Sequence, residues 1–200
     1  MIGNDIIDLT YSGKKSNVHH PRWADKVLMS SEKEQLSLFS DLELPLWTFW
    51  ALKESAYKIF FRKTGKRLFI PKKFLCSFLD IKPDYIEAKV SCDLGEWHGR
   101  VKIYPDCLHA VVVTQKDFFS KLIWRRVPMS QSAAASQSLE VREELKRAVG
   151  HFCQLPYQDL NIQSPHKFPQ VFCKNKALPM DVSMSHHHHW GAFAFLQVNT

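Results

Sequence analysis

The chain has 200 residues, 45% apolar and 24% charged, and its 27 Lys and Arg against 20 Asp and Glu leave a net charge of +7. These fractions exclude a disordered or collagen-like chain, and no apolar run approaches the ~18 residues of a membrane span. Five scattered cysteines, Cys76, Cys92, Cys107, Cys153 and Cys173, with no C-x-x-C pair, argue against a disulfide framework or a cysteine zinc site and predict reduced thiols in a cytosolic protein.

Ile2 to Leu9 is apolar and β-branched with interposed acids, and reads as a buried strand carrying Gly3, Asp5 and Asp8. Asp5 stands where a secretory leader would have basic residues followed by an apolar core, so no leader is expected. A carboxylate inside an apolar run needs a cation, a metal or several donors. Pro21 to Ser40 reads as helical with a break near Ser30, and Ser31 with Glu34 forms an S-x-x-E start signal. A third helix runs from about Pro45 to Thr64 and stops at Gly65. At 3.6 residues per turn Phe49, Leu52, Ala56, Ile59 and Phe60 form its core stripe, while Trp47, Trp50, Glu54 and Lys58 share another face. The plain reading of Glu54 and Lys58 is an i,i+4 pair worth ~0.2–0.5 kcal/mol; two flanking indoles argue against full solvation.

From Phe74 to Thr114 the period becomes two, as in Ile86, Ala88 and Val90 and again in Val101 and Ile103, and Leu108 to Val113 is almost wholly apolar. This predicts an antiparallel meander with one buried central strand. The uncharged stretch 130–138 reads as a linker. Beyond it Val141, Leu145, Ala148, Val149 and Phe152 lie at helical spacing, and strand-like runs follow at Phe168–Cys173, Val182–Ser185 and Trp190–Val198. The expected organisation is α+β in two similar halves, 1–128 and 139–200, joined by 129–138, with antiparallel sheets packed on helices.

The run His186 to His189 invites a metal, but consecutive strand residues point to opposite faces and cannot all converge on one ion. Basic residues cluster at Lys53, Lys58, Arg62, Lys63, Lys66 and Arg67, and at Lys121, Arg125 and Arg126. They suit an acidic partner, yet no zinc-finger, RNP or P-loop pattern accompanies them.

Gly3-Asn4-Asp5, the helix segment Trp50 to Lys58, and Ser183-Met184-Ser185-His186 resemble, in that order, the G-x-D, W-x-x-K-E-A/S-x-x-K and S-x-S-H motifs of the 4′-phosphopantetheinyl transferase superfamily. The motif order is similar to that of the small holo-acyl-carrier-protein synthases, and the length to that of the larger pseudo-dimeric type. The resemblance implies transfer of 4′-phosphopantetheine from coenzyme A to a serine of an apo acyl or peptidyl carrier protein, with adenosine 3′,5′-bisphosphate leaving. It implies Mg2+ held by Asp5 and Glu54, with Asp8 a further candidate, and Glu54 and Lys58 as the catalytic pair. Ser185 and His186, with Lys174 and Lys176 in place of the usual G-K-P segment, would grip phosphates. The implied partners are coenzyme A and an acidic carrier, with no nucleic acid and no membrane, and the implied state is a monomeric pseudo-dimer. The competing readings are a non-catalytic module binding carriers or coenzyme A, and a nucleic-acid binder resting on charge alone.

Overall fold

The opening run of β-branched residues forms strand β1, Ile2–Asp8, with every residue buried, in a computed structural model that describes residues 1–11, 20–130 and 133–198. Helices follow at Pro21–Val27 (α1), Ser30–Glu34 (α2) and, longest of the three, Glu43–Thr64 (α3). Helix α2 starts a residue before the expected Ser31, and Glu32 rather than Glu34 takes the Met29 amide at 2.8 Å. Helix α3 ends as expected at Gly65, whose φ of 69° is the left-handed conformation that glycine adopts without a Cβ penalty.

The predicted meander is present as β2, Leu75–Lys82, β3, Tyr85–Cys92, β4, Gly95–Ile103, and β5, Cys107–Val113. They form one antiparallel sheet with β1, in the order β1-β5-β4-β3-β2. The fully buried β5 lies between β1 and β4, as its unbroken apolar run requires.

The remaining elements pack as a second unit around a separate sheet, and its first strand falls within the expected first half, 1–128. Strand β6, Ile123–Pro128, pairs with β11, Trp190–Gln197, and β11 pairs with β10, Met180–His187. Helix α4 spans Ala134–Cys153, so part of the expected linker 129–138 is the first turn of a helix; positions 131 and 132 lie outside the described residues. Both differences have a local cause. Arg125 and Arg126 interrupt the apolar alternation of β6, and Ala133-Ala134-Ala135 has high helix propensity whatever its low complexity. A small sheet of β7, Leu160–Gln163, β8, Gln170–Cys173, and β9, Lys176–Ala177, completes the unit.

The layers are α3, first sheet, second sheet, α4. Phe49, Leu52, Ala56 and Ile59 pack with Ile86, Val101 and Ala110, while Val141, Leu145 and Val149 pack with Val182, Phe193 and Phe195. Between the sheets Ile2, Val111 and Val113 meet Ala194 and Leu196, and Ile6 meets Ala192. Strand β1 is therefore buried from both sides: Gly3, Asp5 and Ile7 turn toward α3, and Ile2, Asn4, Ile6 and Asp8 turn toward the second unit. No helix among the described residues is long and apolar enough to cross a membrane.

Two consequences are open to measurement. A Cβ on Gly3 would lie 2.0 Å from the backbone oxygen of Ser55. Gly3→Ala must push β1 off α3 and is expected to cost at least the ~1–3 kcal/mol of ordinary overpacking; a urea midpoint equal to the parent's would contradict this close approach. His109, buried beside Asn4, is pushed down to about 3 by burial first and by Lys102 and Lys58 after it. The unfolded imidazole takes a proton below its ordinary 6.5 while the folded one stays neutral to about 3, so its share of stability is lost as pH falls through that window. The drop in urea midpoint from pH 7 to pH 5 should be smaller in His109→Gln than in the parent. Asp5, which titrates in the opposite sense, is common to both proteins and cancels. An identical drop would show that His109 does not set the acid limb.

Candidate active site

The close packing of Gly3 on Ser55 brings β1 directly under the Glu54–Lys58 turn of α3. Asp5, two residues on and on the same face, is 8% exposed. Its Oδ1 accepts from Lys58 Nζ at 3.1 Å, and the same ammonium donates to the Asn4 carbonyl at 2.6 Å. Burial pushes the Asp5 carboxyl up to about 7; Lys58 opposes the shift and the charge of Glu54 adds to it. The charge of Glu54 thus acts on Asp5, and the Lys58 ammonium one turn further on ties the helix to β1.

Across the strand, Asn4 ties this spot to β10. Its amide donates to Ser183 Oγ at 3.0 Å and its Nδ2 to Ser185 Oγ at 3.1 Å, with His109 Nε2 3.2 Å from the same Nδ2. His186 follows Ser185 and is held below the ordinary histidine range by burial and then by Lys58. Lys58, Asp5, Asn4 and Ser185 are thus hydrogen-bonded into one seam between the units, and Glu54 lies one turn before Lys58 on α3. His186, exposed at the position after Ser185, alternates to the other face of β10 while still feeling the charge of Lys58. Beside the seam lies a cavity of about 180 Å3, walled by Tyr57, Lys58 and Arg62 of α3 and by Lys167, Phe168 and Ser183 of the second unit. Arg62 is fixed there by the Val182 carbonyl, by Asp181 at 3.9 Å and by the face of Phe168.

Three expected site residues are placed elsewhere. Asp8 faces away from Asp5, because three residues along a strand reverses the side-chain direction. Its Oδ1 accepts from the Thr10 amide, the Thr10 hydroxyl and the Tyr11 amide, and its Oδ2 from the amide and ring of His189. Burial opposes its ionisation, but these donors more than offset it and hold the carboxyl down at about 2. With both oxygens engaged, Asp8 is a clasp between the units and not a third ligand beside Asp5. Lys174 and Lys176 border the β8–β9 turn, where Lys174 is 74% exposed and pairs with Asp159 at 3.3 Å. Lys174 and Asn175 both have positive φ, 46° and 65°, so asparagine takes the left-handed turn without glycine.

The histidine run divides as strand geometry requires. His187 Nδ1 accepts the Asp8 amide at 2.9 Å, His188 turns with φ 50° and stacks on Tyr11, and His189 grips Asp8. No group of three metal-ligating side chains exists among the described residues. Lys53, grouped by sequence with surface cations, is fully buried on an ion pair with Glu32 at 2.8 Å and bonds to the Pro71 and Phe74 carbonyls. Asn4, which links β1 to β10, is a side chain that the sequence did not single out; its place between the two motif residues Gly3 and Asp5 was the available signal.

The carboxylates fit a hard dication. Mg2+ is commonly held by one or two carboxylates with water and substrate phosphates supplying the rest, and a dication would oppose the burial, and after it the Glu54 charge, that raise Asp5. A family model described as the 4′-phosphopantetheinyl transferase superfamily matches residues 1–111, which include β1, α3 and most of β5. No curated protein matches the chain.

Proposed function

Since the chain belongs to the 4′-phosphopantetheinyl transferase superfamily, we propose that it moves 4′-phosphopantetheine from coenzyme A to a serine of an acidic apo acyl or peptidyl carrier protein, with Mg2+, releasing adenosine 3′,5′-bisphosphate. The observation that carries this reading is the hydrogen-bonded chain from Lys58 to Asp5 and Asn4 and on to Ser185 across the seam, with Glu54 one turn before Lys58 and its charge acting on Asp5.

In the proposed step the carrier serine oxygen forms a bond to the β-phosphorus of coenzyme A, and the bond from that phosphorus to the bridging oxygen breaks. Mg2+ held by Asp5 and Glu54 would supply neutralisation of the pyrophosphate charge. Glu54 accepts the serine proton, directly or through a water, an effect typically worth ~10²–10⁴ in rate. Lys58, already anchored to Asp5 and to the Asn4 carbonyl, holds its remaining proton toward the phosphoryl oxygens. Ser185 is oriented by Asn4 and can hold a nucleotide phosphate from the second unit, and His186, exposed at the next position, is given the same task. The net charge of +7 favours encounter with an acidic carrier.

We also read the two units as repeats of one fold forming a monomeric pseudo-dimer. Each runs strand, helix, strands, with its first strand antiparallel to its last: β1 on β5 and β6 on β11. Incubation of apo carrier proteins with the chain, coenzyme A and Mg2+, followed by mass spectrometry, tests the activity. The expected result is a gain of one phosphopantetheine arm on at least one carrier. No gain on any of fatty-acid, polyketide or peptide carriers would refute the transferase reading.

A further inference from the structure

The second unit carries a groove in the position that the seam occupies in the first. Setting the left-handed helix caps Gly65 and Gln154 in register lays Leu52, Ala56 and Phe60 over Val141, Leu145 and Val149, which are buried in both helices. On this register Arg147 stands where Lys58 does and His151 where Arg62 does. The strands agree. Asp5 is the middle one of three β1 residues facing α3, between Gly3 and Ile7; Arg125 is the middle one of three β6 residues facing α4, between Ile123 and Val127. The contact of Asn4 with Ser185 across the units is matched by Lys102 over the ring of Trp124 at 4.4 Å, at the corresponding register positions.

The chemistry at the two places is opposite. In the second, the acid of the strand has become Arg125, and the acid at the Glu54 position, Glu143, is drawn to Lys146 at 3.8 Å. A cavity of about 430 Å3 lies between β6 and α4, lined by Arg125, Arg126, Arg147 and His151. It adjoins a larger one of about 880 Å3 that shares Arg147 and His151 and is walled by Leu155 and Tyr157. One carboxylate, Glu144, lines it, and that is paired with Arg147. Arg125 and His151 have no partner among the described residues.

We propose that this groove is a second, metal-independent binding site for a phosphate-bearing small molecule. Guanidinium groups present paired N–H donors that match phosphate oxygens. The concave, partly apolar walls suit a small ligand rather than a folded acidic domain. Arg126 is held by Asp106 at 2.7 Å and lies between the rings of Tyr104 and Trp190, so it keeps its place while Arg125 and Arg147 remain exposed. The proposed use of the Asp5–Glu54 seam requires a dication, so chelation separates the two sites experimentally.

Isothermal titration of the full chain in EDTA with inorganic pyrophosphate, and separately with ADP, is the test. One saturable site is expected for at least one probe. Arg125→Ala with Arg147→Ala should weaken it roughly tenfold or more, and Lys58→Ala should change it less than about twofold. If the double variant does not fold, Arg125→Glu alone at its exposed strand position must give the same loss. Absence of saturable binding by both probes, an affinity unchanged by the arginine substitutions, or a loss on Lys58→Ala overturns the proposal. So does binding of an acidic peptide but of neither phosphate compound. None of these results bears on the Mg2+-dependent mass gain, so the two readings fail separately.

Discussion

Glu54→Gln and Asp5→Asn are each expected to reduce phosphopantetheine transfer by at least ~10²–10³, to background in a mass-spectrometric assay, without loss of the fold. Glu54 is half-buried and forms no structural hydrogen bond among the described residues, so its amide is accommodated. Asp5→Asn keeps an oxygen for Lys58 Nζ and removes the buried carboxyl that burial and Glu54 push up to about 7. The folded state disfavours that charge, so the stability it costs grows as pH rises from the ordinary carboxylate value toward 7. The Asn variant should therefore melt no lower than the parent at pH 8. Added Mg2+ should raise the parent's Tm and leave both variants unmoved, because only the parent offers two carboxylates. Transfer at the parental rate in either variant would remove the proposed site.

The largest effect on stability is expected at Lys53. Its ammonium and the Glu32 carboxylate are both 0% exposed, and Glu32 also accepts the Cys76 and Met29 amides. Lys53→Ala leaves that carboxylate buried without its cation, which typically costs about 3–5 kcal/mol. At about 2–4 °C per kcal/mol for a chain of this size, the Tm should fall by roughly 6–20 °C. Lys53→Met combined with Glu32→Gln should recover part of the loss, since an uncharged pair leaves no isolated ion. A fall below about 1 kcal/mol in Lys53→Ala would show that water reaches the pair.

The first unit was largely legible in the sequence. The period-two alternation around Ile86 and Val101, the unbroken run before Val113 and the Gly65 stop each correspond to the observed element. What escaped depended on neighbours distant in sequence. Lys53 reads as a surface cation because only one face of α3 was assigned to the core. The helices before it cover a second face, where Trp23 packs on Trp47 and Trp50. Asp8 reads as equivalent to Asp5 by composition, and only the strand period and the second unit's histidine turn give it a different task. Arg125 and Arg126 read as a charge cluster, though they belong to a strand beside α4 that, among the described residues, ends its sheet. The convergence of Asp5, Lys58 and Ser185 was implied by motif order, while Asn4, which links them, had no pattern of its own.

Asn4 has a property that follows from its position on the outer edge of β1. Its N–H goes to Ser183 and its C=O to Lys58, so both point out of the sheet ladder, and by antiparallel alternation those of Gly3 and Asp5 point in. Deuterium uptake at the Asn4 amide therefore clocks the parting of the two units. Uptake at Gly3 and Asp5 clocks the melting of the first sheet, so three adjacent protons distinguish domain separation from global unfolding.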